Sequence, residues 1–188
     1  MLTMHNGCSS ARSQSFHRRT LPNPQSLQVE SMTSFVDYPQ ITPFLWFENN
    51  AEEAVDFYLS IFKNSRKLSE FRSPTETPGG PKGMLLTISF ELNGLRFTAL
   101  NGGRTQPFTD AVSFVVRCDK QEEVDYYWSK LTDGGSQIAC GWLKDKFGLV
   151  WQIVPARLIE LVSNPKAMQA MMQMKKLDIA ELERATRS

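Results

Sequence analysis

Histidine and cysteine are the side chains most often used to activate a nucleophile or hold a transition metal. This chain of 188 residues spends them sparingly. Both histidines, His5 and His17, fall near the N-terminus, and the three cysteines are Cys8, Cys118 and Cys140. An odd count with no C-x-x-C spacing argues against a disulfide framework or a zinc ribbon. With no histidine after His17, neither Cys118 nor Cys140 has an imidazole to take its proton, and both read as small apolar fillers. The same gap excludes a Ser-His-Asp triad from the body of the chain. Asp145 could serve as a base or orient a ligand. An Asp three residues before a glycine, here Gly148, also simply makes a turn. Glu122, Glu123 and Asp125 read as a solvated helix face. Nowhere does a G-x-G-x-x-G join a strand to a helix, the place where a nucleotide-based methyl donor would usually sit.

The elements that must position these residues follow from periodicity. Ile41–Glu48 (ITPFLWFE) is a compact apolar run that predicts a buried strand. Asn50-Ala-Glu-Glu53 has the shape of a capping box. Ala54, Val55, Tyr58, Ile61 and Phe62 then share one helical face, and the helix should end near Asn64. A possible strand at 66–72 leads to a loop over 74–83 with three Pro and three Gly. Met84–Leu92 and Leu95–Leu100 are strands joined by Asn93-Gly94, a two-residue hairpin signal. The pattern then starts again. Ala111–Cys118 is a strand and Asp119-Lys-Gln-Glu122 a second capping-box spacing. Val124, Tyr127, Trp128 and Leu131 give a second amphipathic helix, stopped by Gly134-Gly135. Strands at 137–142 and 149–154 flank the turn at Asp145–Gly148.

Glu53–Ser60 (EAVDFYLS) lies over Glu122–Ser129 (EVDYYWS preceded by Glu122) at a spacing of 69. The chain is thus a duplication of a strand, a helix and three strands. One such unit cannot cover its own concave sheet face, whereas two can cup a shared cavity. After Pro155 the character changes. Asn164-Pro165 starts a helix, and Met168, Met171, Met172 and Met174 cluster at helical spacing as packing for the domain or for a second subunit.

Composition sets the frame. Hydrophobic residues make up 41% and charged residues 22%, a globular balance, and no apolar run approaches the roughly 18 residues of a membrane span. A formal net charge of +1 gives no reason to expect a nucleic-acid or membrane partner. Residues 1–38, rich in Ser, Asn, Gln and Pro, read as a disordered tail. Arg12, Arg18 and Arg19 against the single Glu30 in 1–32 also fit a mitochondrial transit peptide, and Met32 could be the true start. Reduced thiols point to a cytoplasmic setting, with a mitochondrial one as the alternative.

Several strings together resemble the PhnB-like branch of the vicinal-oxygen-chelate (glyoxalase-like) superfamily, in the group labelled 3-demethylubiquinone-9 3-methyltransferase. They are Ile41–Phe47 (ITPFLWF), Ala51–Ala54 with Phe57-Tyr58, Leu100–Gly103 (LNGG), Gln121–Asp125 (QEEVD), Gly141–Asp145 (GWLKD), Phe147-Gly148, Trp151–Pro155 (WQIVP) and Met172–Ile179 (MQMKKLDI). The resemblance runs from about residue 40 to 186. It implies an α+β fold of tandem βαβββ modules forming a curved mixed β-sheet cup, over residues 39–156. A C-terminal helical extension follows at 157–188. It also suggests a homodimer.

Metal-dependent members of this superfamily hold a divalent ion with His and Glu from the first and last strands of each module. Carried over by position, those sites fall near Pro43 and at Thr98, Ser113 and Gln152. None is a strong ligand, so no metal and no cofactor is expected. Read positively, Thr98, Ser113 and Gln152 are neutral hydrogen-bonding groups that should point into the cup. By period-2 alternation Leu45, Phe47 and Val115 are expected to share those faces, and Trp142 stands near the cavity mouth. Such a lining is that of a small-molecule site. Three readings stay open: a metal-free binding protein, a metal-independent enzyme acting on a small metabolite, and a structural dimer module whose cup is filled by its own side chains.

Overall fold

A computed structural model describes residues 35–187. The transit-peptide and alternative-start expectations, with His5, His17 and Cys8, lie outside the described residues. Residues 35–38, read from sequence as part of the tail, instead begin the described chain with a 3-10 turn at Phe35–Asp37.

The first module runs β1 (Phe44–Phe47), α1 (Ala51–Ile61), β2 (Ser65–Arg72), β3 (Leu85–Leu92) and β4 (Leu95–Asn101). The second runs β5 (Phe114–Cys118), α2 (Gln121–Leu131), β6 (Ser136–Gln137), β7 (Trp142–Lys144) and β8 (Val150–Pro155). Each folds into a mixed four-stranded sheet, in the orders β1-β4-β3-β2 and β5-β8-β7-β6. β1 pairs parallel with β4, and β5 with β8. This is the tandem βαβββ architecture expected from the sequence. Asn93-Gly94 makes the predicted tight turn, with φ of 47° and 84°, the left-handed pair a two-residue hairpin requires. The predicted strand over 137–142 is broken, because Cys140 and Gly141 both take positive φ.

The repeat shows a spacing of 70 between the helix starts, Ala51 and Gln121. The buried positions Ala54, Tyr58 and Ile61 match Val124, Trp128 and Leu131 at the same offset. The local letters alone favour 69; burial decides for 70. Sheet register sets a further step. Phe44 pairs with Thr98 as Val115 pairs with Gln152, and Phe47 with Asn101 as Cys118 with Pro155. Thr42 is therefore the first-module counterpart of Ser113.

Neither capping box forms: Asn50 makes no side-chain cap, and α2 starts one residue later than the Asp119–Glu122 spacing expects, with the uncapping Lys120 at its N-cap. The first amide of α1, Ala51 N, instead donates to Asn101 Oδ1 at 2.9 Å, while Asn101 Nδ2 donates to the Leu85 carbonyl. A buried amide on β4 thus supplies the partner that a helix N-terminus needs. At α2, Glu123 Oε2 reaches back to accept from Asp119 N at 2.7 Å.

The helix-bearing faces of both sheets merge into one core. Tyr58 on α1 stacks on Phe90 of β3 and tilts against Trp151 of β8. Phe97 on β4 meets Phe114 on β5 with ring centroids 5.0 Å apart. After β8 come α3 (Leu158–Val162), α4 (Pro165–Gln173) and α5 (Ile179–Arg187). α3 lies ahead of the two helical stretches seen in the sequence. Asn164 caps α4 by accepting from Lys166 N at 2.9 Å. The segment before α5 docks on the second module: Cys140 N donates to Met174 O and Gly141 N to Lys175 O. Gln121 clasps it from α2, donating to Leu177 O and accepting from Ile179 N.

Candidate functional site

A strand sends alternate side chains to opposite faces, so register fixes what each sheet offers away from the common core. On the first sheet Phe44 and Trp46 (β1) and Thr98 and Leu100 (β4) share that face, with Thr87 and Ser89 (β3) and Ser69 and Phe71 (β2). Leu45 and Phe47 do not. They pair with Ala99 and Asn101 and are buried on the helix-bearing side. The expectation that they stand beside Thr98 is therefore corrected: a strand begun at Ile41 was counted from the wrong phase. Trp46 and Phe44 take their place, and sequence reading missed both. Trp46 lies flat on the following turn, donating from Nε1 to Arg104 O at 2.9 Å. Only a glycine fits beneath it, since a Cβ at Gly102 would sit 2.1 Å from the indole.

On the second sheet the equivalent face carries Ser113, Val115, Gln152 and Trp142. Val115 and Trp142 both pair with Gln152, and Gln152 Nε2 donates to Ser113 Oγ at 2.8 Å. Val115 is 60% exposed in the single chain. The structure thus brings Ser113, Val115, Trp142 and Gln152 together and leaves Thr98 on the other sheet.

Among the described residues, cavities adjoin these faces. One of about 870 Å³ opens along the seam between modules, where Ser113 and Val115 meet the aromatic rings of Phe62, Phe97, Tyr127 and Trp151. A second, of about 410 Å³, lies between Trp46, Phe47 and the Lys144–Gly148 turn. A third, of about 370 Å³, lies where Thr42, Phe44 and Thr98 meet the N-terminal segment.

The fold implies a divalent ion in metal-using relatives, held by strand side chains at these positions. Thr42, Thr98, Ser113 and Gln152 offer hydroxyl and amide oxygens, with Ser113 and Gln152 already bonded to each other. Imidazole and carboxylate are what such ions take. The residues present do not fit the group.

Asp145 has a defined task of its own. It is buried, and its carboxylate accepts from Tyr58 Oη at 2.8 Å, Trp151 Nε1 at 2.9 Å, Phe147 N at 2.9 Å and Leu149 N at 3.1 Å. Burial pushes its carboxyl above the usual range, opposed by the hydrogen bonds from Trp151, Tyr58 and the two amides. Burial, reinforced by Asp145, also raises the Tyr58 hydroxyl well above its ordinary value. The turn-making reading of Asp145 holds, with an addition that sequence could not supply: it ties α1 of one module to β8 of the other.

Cys118 is fully buried, and burial, with Glu123 and Asp119 nearby, pushes its thiol up to about 12. A thiol reagent at pH 8 should therefore leave Cys118 intact in the folded chain, since the thiolate is the reactive form. In a Cys8→Ser variant, mass-mapped labelling should find the half-buried Cys140 modified first and Cys118 only on unfolding. Rapid native labelling of Cys118 would show that its surroundings are open.

Two sheets of the order 4-stranded βαβββ, duplicated in one chain, define the vicinal-oxygen-chelate, glyoxalase-like class. Within it, residues 39–154 match the family model described as 3-demethylubiquinone-9 3-methyltransferase, and the chain belongs to that PhnB-like family. A Bacillus cereus PhnB protein carrying the same methyltransferase label is 35% identical. The match covers 63% of this chain and 100% of that one, with a TM-score of 0.56. Protein PA1353 from Pseudomonas aeruginosa shares the fold at 19% identity, over 62% of this chain and 97% of that one, with a TM-score of 0.52. Among curated proteins, none matches. Among the described residues, no helix is long and apolar enough to cross a membrane.

Proposed function

We propose that the chain binds a small organic molecule on the cup faces of its βαβββ modules, without a metal, and that a second copy closes the cup. The observation that carries this reading is the state of those faces. They expose apolar side chains, Phe44 at 51%, Phe71 at 46% and Val115 at 60%, around the neutral groups Gln152, Ser113 and Thr98. Exposed apolar surface ringed by aimed polar groups marks a ligand or subunit site. Because the faces look away from the core of their own chain, a two-fold partner is the natural cover. A binding role is favoured over catalysis by Asp145. The carboxylate best placed to act as a base is spent on four structural hydrogen bonds.

A native mass spectrum of the full chain, purified without chelator or added metal, tests this. A metal-free dimer that retains a small organic mass is the expected result. One divalent ion per cup would overturn it. If the ligand rests on Ser113 and Gln152, Gln152→Ala should cut its affinity about tenfold, the value of one or two neutral hydrogen bonds. Unchanged affinity in an isothermal titration would remove that face from the site.

A further inference from the structure

The first module's cup face differs from the second in one respect: the chain itself lies across it. Residues of Phe35–Thr42 line, together with Phe44 and Thr98, the open cavity of about 370 Å³. Arg96, on the same strand face as Thr98, holds this segment. Its Nη1 donates to Asp37 O at 2.6 Å, and its guanidinium lies 5.0 Å over the Tyr38 ring. The neighbouring Glu91 pairs with Arg66 at 3.4 Å. Arg96 therefore spends its charge on a backbone carbonyl and an aromatic ring, both weaker partners than a carboxylate.

Two hydroxyls on this sheet face have unmet needs: Thr98, which lines the cavity, and Ser89, its partner on β3. Ser89 and Thr98 face each other across β3 and β4, each is 2% exposed, and among the described residues neither Ser89 Oγ nor Thr98 Oγ1 finds a hydrogen-bond partner. A buried polar group without a partner is costly, and each such group in a folded protein calls for a reason. The wall beside Thr98 is aromatic, with Phe35, Tyr38 and Phe44 lining the cavity alongside Thr42.

We infer that Phe35–Thr42 is a lid over a site for a small carboxylate with an aromatic or aliphatic body. Arg96 and the Ser89 and Thr98 hydroxyls receive the carboxylate, and the rings hold the apolar part. Arg96 is the latch. It releases Asp37 O and takes the ligand carboxylate, a bidentate partner that suits the guanidinium better. The lid backbone then reseats over the bound molecule. This rests on the binding reading above, narrows it to the first module's face, and gives the ligand its charge.

The probe is phenylacetate, titrated into the ¹⁵N-labelled full chain and followed by amide shifts. Saturable shifts at Tyr38, Arg96 and Thr98 below about 10 mM are expected. Arg96→Gln and the near-isosteric Thr98→Val should each weaken binding at least about tenfold. Phenylacetamide, which lacks the charge, should not saturate. Saturable shifts confined to Ser113 and Gln152, indifferent to Arg96→Gln, would overturn this inference while leaving the binding-cup reading in place. No saturation at either face would overturn the carboxylate site outright, and the mass spectrum above decides the broader reading on its own.

Discussion

Replacing Asp145 with alanine is expected to cost about 3–5 kcal/mol of unfolding free energy. The change strands four donors at once: the Tyr58 hydroxyl, the Trp151 indole and the amides of Phe147 and Leu149. A buried donor left unmet costs about 1–3 kcal/mol, and relaxation recovers part of the total. Urea denaturation measures the loss, and a change under about 1 kcal/mol would mean that water replaces the carboxylate without penalty. Tyr58→Phe removes one of the four bonds and should cost about 1 kcal/mol.

The same residue sets a pH dependence. Burial, the largest influence, raises the folded carboxyl above the ordinary value of about 3.9 that it keeps when unfolded. Between those two values the unfolded chain has already lost the proton that the folded chain still holds. Stability from this group is thus complete below the unfolded value and falls as pH rises to the folded one. Asp145→Asn cannot titrate. The stability of the native chain minus that of the Asn variant should therefore decline from acid pH through this window and level off above it. A difference that grows with pH would mean that the hydrogen bonds outweigh burial.

Leu177→Ala should cost about 2–5 kcal/mol, the range for emptying a buried leucine site. Leu177 is fully buried against Gly141, where a Cβ would stand 3.1 Å from its Cδ1. It is also the residue on which the docking of α4 and α5 turns, bracketed by the Gln121 clasp and by Met174 and Lys175 carbonyls on Cys140 and Gly141. Limited trypsin digestion reports the local part of the effect, through cleavage at Lys175 and Lys176. Faster cleavage there together with a lowered denaturation midpoint is expected. An unchanged digestion rate would show that the C-terminal helices stay docked without this side chain.

Composition and period were enough for the architecture. Apolar residues at helical spacing in Ala51–Ile61 and Gln121–Leu131, strands between them and a turn at Asn93-Gly94 left one arrangement, a duplicated βαβββ unit. These signals are local. A helix face or a hairpin turn is dictated by residues within a few positions of one another. The resemblance pointed to positions near Pro43 and at Thr98, Ser113 and Gln152, and the types of those residues need no fold to be read.

The phase of β1 was not legible. Phe44–Phe47 is apolar throughout, so alternation could not say whether Leu45 and Phe47 or Phe44 and Trp46 face the core; pairing with β4 decided it. Caps went the same way. Asn50 had the right letter, yet the α1 amide chose Asn101, 50 positions away, because β4 brings that side chain to the helix end in a dry site. Arg96 over Tyr38, Asp145 between Tyr58 and Trp151, and Gln121 around Leu177 are likewise contacts between distant segments. Sequence by itself determined the duplicated order of the elements that build the two sheets. Tertiary structure alone decided which side chains meet, because register and long-range packing are fixed only when the whole core closes.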